Sequence, residues 1–241
     1  MTNAAFRVGV VMFPGMTQLD MTGPLEVLSA VPGWTVDLIG ETLSPVRCAR
    51  GFSFMPTVDF SNAPQYDLLV VPGGPGVDEA MLNRSLVAFV RDQAAHAAYV
   101  FGICTGSLLL AATGCLAGRR ASCHWQAVEF LTHFGVVPSR QRMTIDGRFF
   151  TSGGVTAGID MALKVVGEIV GVEAAQGIQL LLEYDPEPPY RAGTPDVAPA
   201  AVVERLTLAS AQRKNNRLKA VLAASQAIGG TGTQPGGYPF F

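Results

Sequence analysis

Four short runs of apolar residues recur along the first half of the chain, at Arg7–Phe13, Thr35–Ile39, Asp67–Val71 and Tyr99–Ile103. Their nearly continuous Val, Ile and Leu content is typical of strands that are covered on both faces, as in a parallel sheet. Helical patterns lie between these runs, and in Leu82–Ala98 the apolar residues recur at the spacing of one helix face. This alternation predicts an α/β fold with a mostly parallel central sheet.

Three further helices are predicted after Cys104. The first is a buried helix that ends near Gly114, where a glycine suits a left-handed C-terminal cap. The other two are apolar-rich segments at Gly158–Val170 and Glu173–Leu182.

The C-terminal part of the chain has a different composition. Five prolines in Glu183–Pro199 exclude a continuous helix or a central strand and predict an ordered arm over the surface. Ala200–Ile228 has the pattern of a last helix with Arg and Lys on its outer face, and residues 229–241 have the composition of a flexible tail. We find no internal repeat and no second core, so we expect one domain over 1–241, with its core at about residues 6–200.

Composition limits the classes of protein to be considered. The 241 residues are 49% hydrophobic and 15% charged, which excludes a disordered chain, and a net charge of -2 argues against a nucleic-acid-binding protein. No apolar run reaches the ~20 residues of a membrane span, and the start of the chain lacks the pattern of a signal peptide. Four cysteines are too sparse for a disulfide scaffold. We expect a reduced, cytoplasmic protein without a membrane or nucleic-acid partner.

The most informative stretch for chemistry is residues 98–110, AYVFGICTGSLLL. A strand leads into Cys104, a helix follows, and Gly102 and Gly106 leave room for a sharp turn, as in a nucleophile elbow. A helix N-terminus at this position would favour the thiolate. The alternative is a buried structural cysteine, the commoner fate of this residue type, but the elbow context favours the nucleophile.

The other three cysteines, Cys48, Cys115 and Cys123, are interpreted as packing residues. The chain has no CxxC pair and no histidine spacing that would hold zinc, so we expect no metal site.

A second candidate segment is the loop VVPGGPG at Val70–Gly76, which follows a predicted strand. Its glycines, Gly73 and Gly74, can turn backbone N–H groups toward a site and stabilise developing negative charge. The loop matches neither of the common phosphate-binding glycine patterns.

A carboxylate and a histidine complete the candidates. Asp20 follows the first strand, and the residues alone favour a helix N-cap over an acid/base group that approaches the thiol. The loops that carry Asp20, Gly73 and Cys104 all follow strands, so we expect them to meet at the carboxyl edge of the sheet. His124 either activates the thiol or is a hydrogen-bonded core residue beside Trp125, and both interpretations stay open. The remaining histidines, His96 and His133, are expected at the surface or in packing roles.

Five segments occur together in an order that resembles the DJ-1/PfpI superfamily of class I glutamine-amidotransferase-like proteins. They are FPGMTQLDMTGPLEVL, DLLVVPGGPG, VFGICTGSLLLAATGCLAGRRASCHW, FFTSGGVTAGIDMAL and QLLLEYDPEPPYRAGTPD, and they extend over about residues 6 to 200. Within the superfamily the chain is most similar to the isocyanide hydratase group, on the basis of Asp20, the Cys104–Thr105 pair and residues 183–196.

The resemblance implies a flavodoxin-like sandwich, a homodimer and a site without metal or cofactor. It implies that Cys104 is the nucleophile and that Asp20 is hydrogen-bonded to its thiol. Peptidase-like members carry His where this chain has Thr105, which leaves Asp20 as the proton carrier beside a Cys-Thr pair. The resemblance also implies that Thr105 joins Cys104 and Asp20 as a catalytic residue. The residues Gly153, Gly154 and Val155 align with a segment near the cysteine, and their main chain is expected, with that of Gly73 and Gly74, to face the substrate or an oxyanion. The implied reaction adds water to an isocyanide and gives an N-substituted formamide.

Two other functions remain as alternatives, whereas a DNA-binding regulator is not expected. The same motifs occur in the N-terminal domain of AraC-type regulators, but Ala200–Phe241 is too short for two helix-turn-helix units of roughly 100 residues. A thiol at an elbow also suits a redox-responsive or ligand-binding protein. A hydrolase or a glyoxalase-type enzyme would use the same thiol with His124.

Overall fold

We describe residues 6–229 of the chain in a computed structural model. The strands are β1 (Arg7–Val11), β2 (Thr35–Gly40), β3 (Val46–Arg47), β4 (Ser53–Phe54), β5 (Val58–Asp59), β6 (Leu68–Val71), β7 (Tyr99–Ile103), β8 (Arg120–Ser122), β9 (Val137–Ser139), β10 (Met143–Asp146) and β11 (Phe149–Ser152). The helices are α1 (Gln18–Ser29), α2 (Val77–Ala80), α3 (Arg84–His96), α4 (Gly106–Ala112), α5 (Ala157–Ile169), α6 (Val172–Leu181), α7 (Ala200–Ala209) and α8 (Ala211–Gly229), with a 3₁₀ helix at Val128–Phe134.

A seven-stranded sheet with the order β10-β11-β7-β6-β1-β2-β5 lies at the centre of the fold. Its pairs are parallel except for β10, which runs antiparallel to β11 at one edge. The four apolar runs of the sequence are β1, β2, β6 and β7, and β6 is buried along its whole length. The predicted α/β class and mostly parallel sheet are therefore confirmed.

Helices cover both faces of the sheet, as two consecutive residues of β7 show. A Cβ at Gly102 would meet Leu110 and Ser107 of α4, whereas the side chain of Ile103 lies against Gly158 of α5. Since successive residues of a strand point to opposite faces, α4 and α5 lie on opposite sides of the sheet. Helix α1 packs against α5, and α4 packs against α2, α3 and α8. The site-bearing loops therefore emerge between two helical layers.

Most of the predicted helices are present with shifted ends. The segment Leu82–Ala98 forms α3 from Arg84, because the Asn83 side chain accepts from the Leu86 N–H at 3.1 Å and caps the helix there. The helix after the elbow ends as predicted at a left-handed glycine, Gly114 with φ +85°.

The prediction of one unbroken helix over Ala200–Ile228 is wrong, because α7 and α8 separate at Ser210. The Ser210 hydroxyl donates to the Thr207 carbonyl at 3.0 Å and accepts from the Gln126 amide at 3.0 Å, so a tertiary contact stabilises the break. The expectation that all Arg and Lys of this region lie on an outer face also fails at Arg217, which is 7% exposed.

The proline-rich arm at residues 183–199 contains neither helix nor strand, as predicted. The Tyr184 hydroxyl hydrogen-bonds Asp160 of α5, and a cavity of about 60 Å³ separates the arm from Trp125 and α7. Of the predicted flexible tail, residues 230–241 lie outside the described part of the chain. Within residues 6–229, no helix combines the length and the apolarity that a membrane span requires.

Candidate active site

Cys104 occupies a sharp turn between β7, which ends at Ile103, and α4, which begins at Gly106. Its φ is +56°, a left-handed conformation that is uncommon for a residue with a side chain. The Cys104 N–H donates to the carbonyl of Ser152 at 3.2 Å, which ties the turn to the neighbouring strand β11. The predicted nucleophile elbow is therefore present, with the strained backbone that marks functional turns.

The glycine-rich loop after β6 lies directly against this elbow. A Cβ at Gly73 would lie 2.4 Å from the Thr105 nitrogen, and a Cβ at Gly106 would lie 2.1 Å from the Val71 carbonyl oxygen. Both distances are shorter than real Cβ contacts allow, so this close approach of two backbones requires glycine at both positions.

Thr105 holds the same loop through its hydroxyl. Its Oγ1 accepts from the Gly74 N–H at 2.8 Å and donates to the Gly74 carbonyl at 3.1 Å. The Gly74 N–H therefore already has an acceptor inside the protein, and its hydrogen bond to Thr105 holds the loop in position.

Asp20 lies inside α1 rather than at its N-cap, which is Thr17, so the N-cap interpretation is wrong. Its side chain is fully buried, and Oδ2 accepts from the Gly73 N–H at 2.9 Å. Oδ1 is also buried and has no regular hydrogen-bond partner among the described residues. The Cys104 thiol lies close enough to act on this carboxyl as a donor. Asp20 in the first turn of α1, Gly73 and Cys104 thus meet at the carboxyl ends of the central strands β1, β6 and β7, as predicted.

Burial dominates the acid–base properties of this pair. Desolvation raises the pKa of Asp20 from 3.8 to about 7, although the hydrogen bond from the Gly73 N–H and the nearby Cys104 thiol lower it. Desolvation also raises the pKa of the Cys104 thiol, and the negative charges of Asp20 and Cys123 raise it further. The Thr105 N–H and the charge of Arg217 lower the pKa of Cys104, but they do not reverse the shift.

The pKa of Cys104 is raised, which is the opposite of the expectation based on the helix N-terminus alone. The Thr105 N–H does favour the thiolate, but the loss of water around a 5% exposed side chain outweighs it. The buried pair therefore releases one proton near neutral pH, and a second negative charge beside the first is strongly opposed. A group that can hold or deliver one proton thus lies next to the thiol.

Cys123 and His124 follow directly after β8. The backbone N–H of His124 donates to the Cys123 sulfur. Cys123 is a buried thiol, and burial raises its pKa to about 12. Burial and the charges of Arg217 and Arg213 lower the pKa of His124, and its Nδ1 accepts from the Gln126 N–H at 3.3 Å. A neutral imidazole results, and its role toward the thiol stays a prediction.

The other histidines and cysteines lie apart from this cluster of contacts. His96 and His133 are exposed. Cys48 is buried, Cys115 is half-buried beside Thr113, and all four cysteines are free. Across residues 6–229, no group of three or more His, Cys, Asp or Glu side chains could hold a metal ion.

The segment Gly153–Val155 begins directly after the β11 residue that accepts from Cys104. The Gly153 N–H donates to the Arg142 carbonyl at 2.9 Å, whereas Gly154 is exposed and Val155 is half-buried. The hydroxyl of the preceding Ser152 is buried without a hydrogen-bond partner in the described part of the chain.

Sequence reasoning missed two residues of this environment, Ser152 and Arg217. Ser152 belongs to the apolar run of a strand, which gives no signal for a buried orphan hydroxyl. For Arg217 a signal was available, because it stands three and four residues before Ala220 and Val221, on the apolar stripe of α8.

Comparisons with known proteins identify the family of the chain. Residues 6–168 match the DJ-1/PfpI family. The chain belongs to this family. One DJ-1/PfpI relative is the isonitrile hydratase of Pseudomonas putida, 46% identical over 200 residues that cover 83% of this chain and 88% of the relative. A solved structure of a ThiJ/PfpI family protein from Pseudomonas syringae is 33% identical, with a TM-score of 0.87 and 90% coverage of both chains.

A third relative of this DJ-1/PfpI chain belongs to a different functional class. It is an HTH-type transcriptional regulator from Pseudomonas aeruginosa, 29% identical over 189 residues. The match covers 74% of this chain and 50% of the regulator.

Proposed function

We propose that the chain is an isocyanide (isonitrile) hydratase that adds water to an isocyanide and releases an N-substituted formamide. The similarity to the isonitrile hydratase of Pseudomonas putida, 46% identity over most of both chains, supports this function. The observation that carries the proposal is the buried Asp20 carboxyl beside the elbow thiol of Cys104. An isocyanide carbon requires both a nucleophile and a proton, and this pair supplies both.

In the first step the Cys104 thiol gives its proton to the Asp20 carboxylate, and the sulfur, now a thiolate, forms a bond to the terminal carbon of the isocyanide. The carboxyl of Asp20 donates its proton to the same carbon, and the product is a thioimidate bound to Cys104. A pKa of about 7 suits Asp20 to this step, because the carboxyl is present in both protonation states near neutral pH.

In the second step the Asp20 carboxylate takes a proton from water as the water oxygen attacks the thioimidate carbon. The proton passes to the nitrogen of the substrate. The carbon–sulfur bond then breaks, the sulfur leaves as thiolate, and the hydroxyl proton of the adduct returns to Asp20. The products are the formamide, a thiolate and a protonated carboxyl. The carboxyl returns its proton to the sulfur, so one water is consumed and the pair regains its initial state.

The surrounding backbone has a positioning role in this proposal. The Gly73 N–H orients the Asp20 carboxyl, and the Thr105 hydroxyl fixes Gly74 in place. Gly154 and Val155 remain the predicted main-chain groups for substrate or water, and Gly153 orients them through its bond to Arg142.

The experiment that tests the function is formamide production from p-nitrophenyl isocyanide, followed by absorbance and product analysis. We expect turnover by the parent protein, loss of turnover in Cys104→Ser and a severe loss in Asp20→Asn. Cys48→Ser is the matched control, because Cys48 is also buried but lies outside the site. Absence of formamide with the parent protein and several simple isocyanides would contradict the proposal.

We further propose that the protein is a cytoplasmic homodimer. Large apolar side chains of α6 and its surroundings are exposed on the single chain: Leu180 is 80%, Leu181 73% and Val172 66% exposed. Exposed apolar groups of this size on one helix are typical of a protein interface, and a second copy would bury them. Four free cysteines suit a reducing compartment.

A further inference from the structure

Arg217 is a charged residue on an otherwise apolar helix face. Helix α8 buries Arg217, Ala220, Val221 and Ala224, which recur at the three- and four-residue spacing of one helix stripe. Arg217 is 7% exposed, whereas the neighbouring Arg213 is exposed. A buried guanidinium has a large desolvation cost, so its position in this stripe needs a specific reason.

The stripe lies along the helix that follows the nucleophile. Helix α8 packs against α4, α2 and the 3₁₀ helix, and Ile228 near its end lies beside Gly114, just after α4. Arg217 stands eleven residues before Ile228, about three turns back along α8. This places it toward the elbow end of α4, where Cys104 lies.

One carboxylate holds the guanidinium in this position. The Nε of Arg217 donates to Oδ1 of Asp78 at 2.6 Å, and the Asp78 side chain is 18% exposed. Asp78 belongs to α2, directly after the glycine-rich loop that contains Gly73 and Gly74. The ion pair therefore connects the C-terminal helix to the loop that orients Asp20.

The charge of Arg217 acts on three side chains around the elbow. It lowers the pKa of Cys104, of Cys123 and of His124. The other charged groups that act on the same side chains are Asp20 on Cys104 and Cys123, Cys123 on Cys104, and the exposed Arg213 on His124. Asp78 is the carboxylate paired with Arg217 itself. Arg217 is thus a buried cation that opposes the effect of Asp20 on the Cys104 sulfur.

We propose that Arg217, held by Asp78, is a positioning residue of the reaction that stabilises negative charge on the Cys104 sulfur when it attacks and when it leaves. This inference rests on the proposed function for its place in catalysis. It extends the active-site machinery to a helix that lies beyond the region matched by the family, residues 6–168.

Two variants separate this role from that of a structural ion pair. Arg217→Met removes the cation, whereas Asp78→Asn removes the ion pair but leaves the cation in place. A structural role predicts similar losses of thiolate fraction and of kcat/KM in both variants. A charge role predicts a loss in Arg217→Met alone, and an unchanged or more acidic thiol in Asp78→Asn.

The measurement that requires no substrate is the pH titration of thiolate ultraviolet absorbance, taken as the difference between each protein and the same protein carrying Cys104→Ser. We expect Arg217→Met to lower the thiolate fraction at a given pH by about tenfold, on the order of one pKa unit. Arg217→Lys should keep most of the parent thiolate fraction. Arg119→Met is the control, since it breaks the Arg119–Asp146 ion pair on the β10 side.

The second measurement is the pH profile of formamide production, in which Arg217→Met should lose about tenfold in kcat/KM near neutral pH. If Arg217→Met does not fold, the double variant Arg217→Met/Asp78→Asn leaves no unpaired charge and carries the same expectation. If Arg217→Met or the double variant folds and shows the thiolate titration of the parent protein, the proposal is overturned. An equal loss of thiolate fraction in Asp78→Asn also overturns it. A parent protein without turnover contradicts the proposed function, whereas the titration tests Arg217 separately.

Discussion

The hydroxyl of Thr105 is hydrogen-bonded twice to the backbone of Gly74, accepting from its N–H at 2.8 Å and donating to its carbonyl at 3.1 Å. The single proton of the hydroxyl is therefore already used by Gly74. In this geometry Thr105 fixes the glycine-rich loop against the elbow, and in the proposed reaction the proton for the substrate comes from Asp20. The Cys-Thr pair of the sequence thus combines the proposed nucleophile with a residue that positions its neighbours.

Replacing Thr105 by Val should loosen this loop. The Gly74 N–H and carbonyl would both lose their partner inside the protein, which costs about 1 to 3 kcal/mol for each buried group. We expect a lower melting temperature and a loss of at least about tenfold in kcat, because the Gly73 N–H that orients Asp20 belongs to the same loop. Thr105→Ser should retain most of both, and Thr132→Val, at an exposed hydroxyl, should change neither. Full activity in a stable Thr105→Val protein would contradict this role.

Gly73 should not tolerate even alanine. A Cβ there would lie 2.4 Å from the Thr105 nitrogen, so one of the two backbone segments must move. We expect destabilisation of about 3 kcal/mol or more in chemical unfolding, with loss of turnover. Gly167→Ala in α5 is the matched control, because a Cβ there would meet Ala175 at an ordinary contact distance of 3.7 Å, and alanine in this helix should stabilise by about 0.5 to 1 kcal/mol. Similar unfolding free energies for the two variants would show that the elbow and the loop are not tightly packed.

Asp20 should make the protein less stable as the pH rises. Its pKa is raised in the folded state from 3.8 to about 7, so between these values the folded state binds more protons than the unfolded state. The free energy of unfolding therefore falls with rising pH across this window, by up to about 4 kcal/mol for this one group. Asp20→Asn should be more stable than the parent above pH 7, and this advantage should shrink below it. Parallel stability–pH curves for the two proteins would contradict a raised pKa.

The exposed leucines of α6, Leu180 and Leu181, should control assembly. We expect Leu180→Asp/Leu181→Asp to shift the sedimentation of the protein from dimer to monomer, because two charges would lie in the proposed interface. Leu82→Asp, at a 50% exposed leucine after α2, should leave the dimer intact. A monomeric parent protein at micromolar concentration would contradict the dimer.

The sequence predicted those features that depend on local pattern. The apolar runs identify β1, β6 and β7, since buried parallel strands contain few polar residues. The glycines around Cys104 identify the elbow, because a tight turn limits the residue types that can flank it. The order of the loops then places Asp20 near the thiol.

Features that depend on distant parts of the chain were not predictable in the same way. Asp20 is an acceptable N-cap by residue type, but Thr17 is the N-cap of α1. The Asp20 carboxylate instead accepts from the Gly73 N–H, 53 residues away in the sequence. The direction of the Cys104 pKa follows from burial by both helical layers, which no local pattern reports. Arg217 and Asp78 meet across 139 residues, so their pairing appears only in the folded chain.

The most direct test of the account is the mass of the protein during turnover. The parent protein is mixed with p-nitrophenyl isocyanide, quenched rapidly in acid and measured by intact-protein and peptide mass spectrometry. The account predicts an adduct that adds the whole mass of one isocyanide, located on Cys104 and formed and consumed as formamide appears. Formamide production without any adduct, or with undiminished rate in Cys104→Ser, would contradict the covalent role of Cys104.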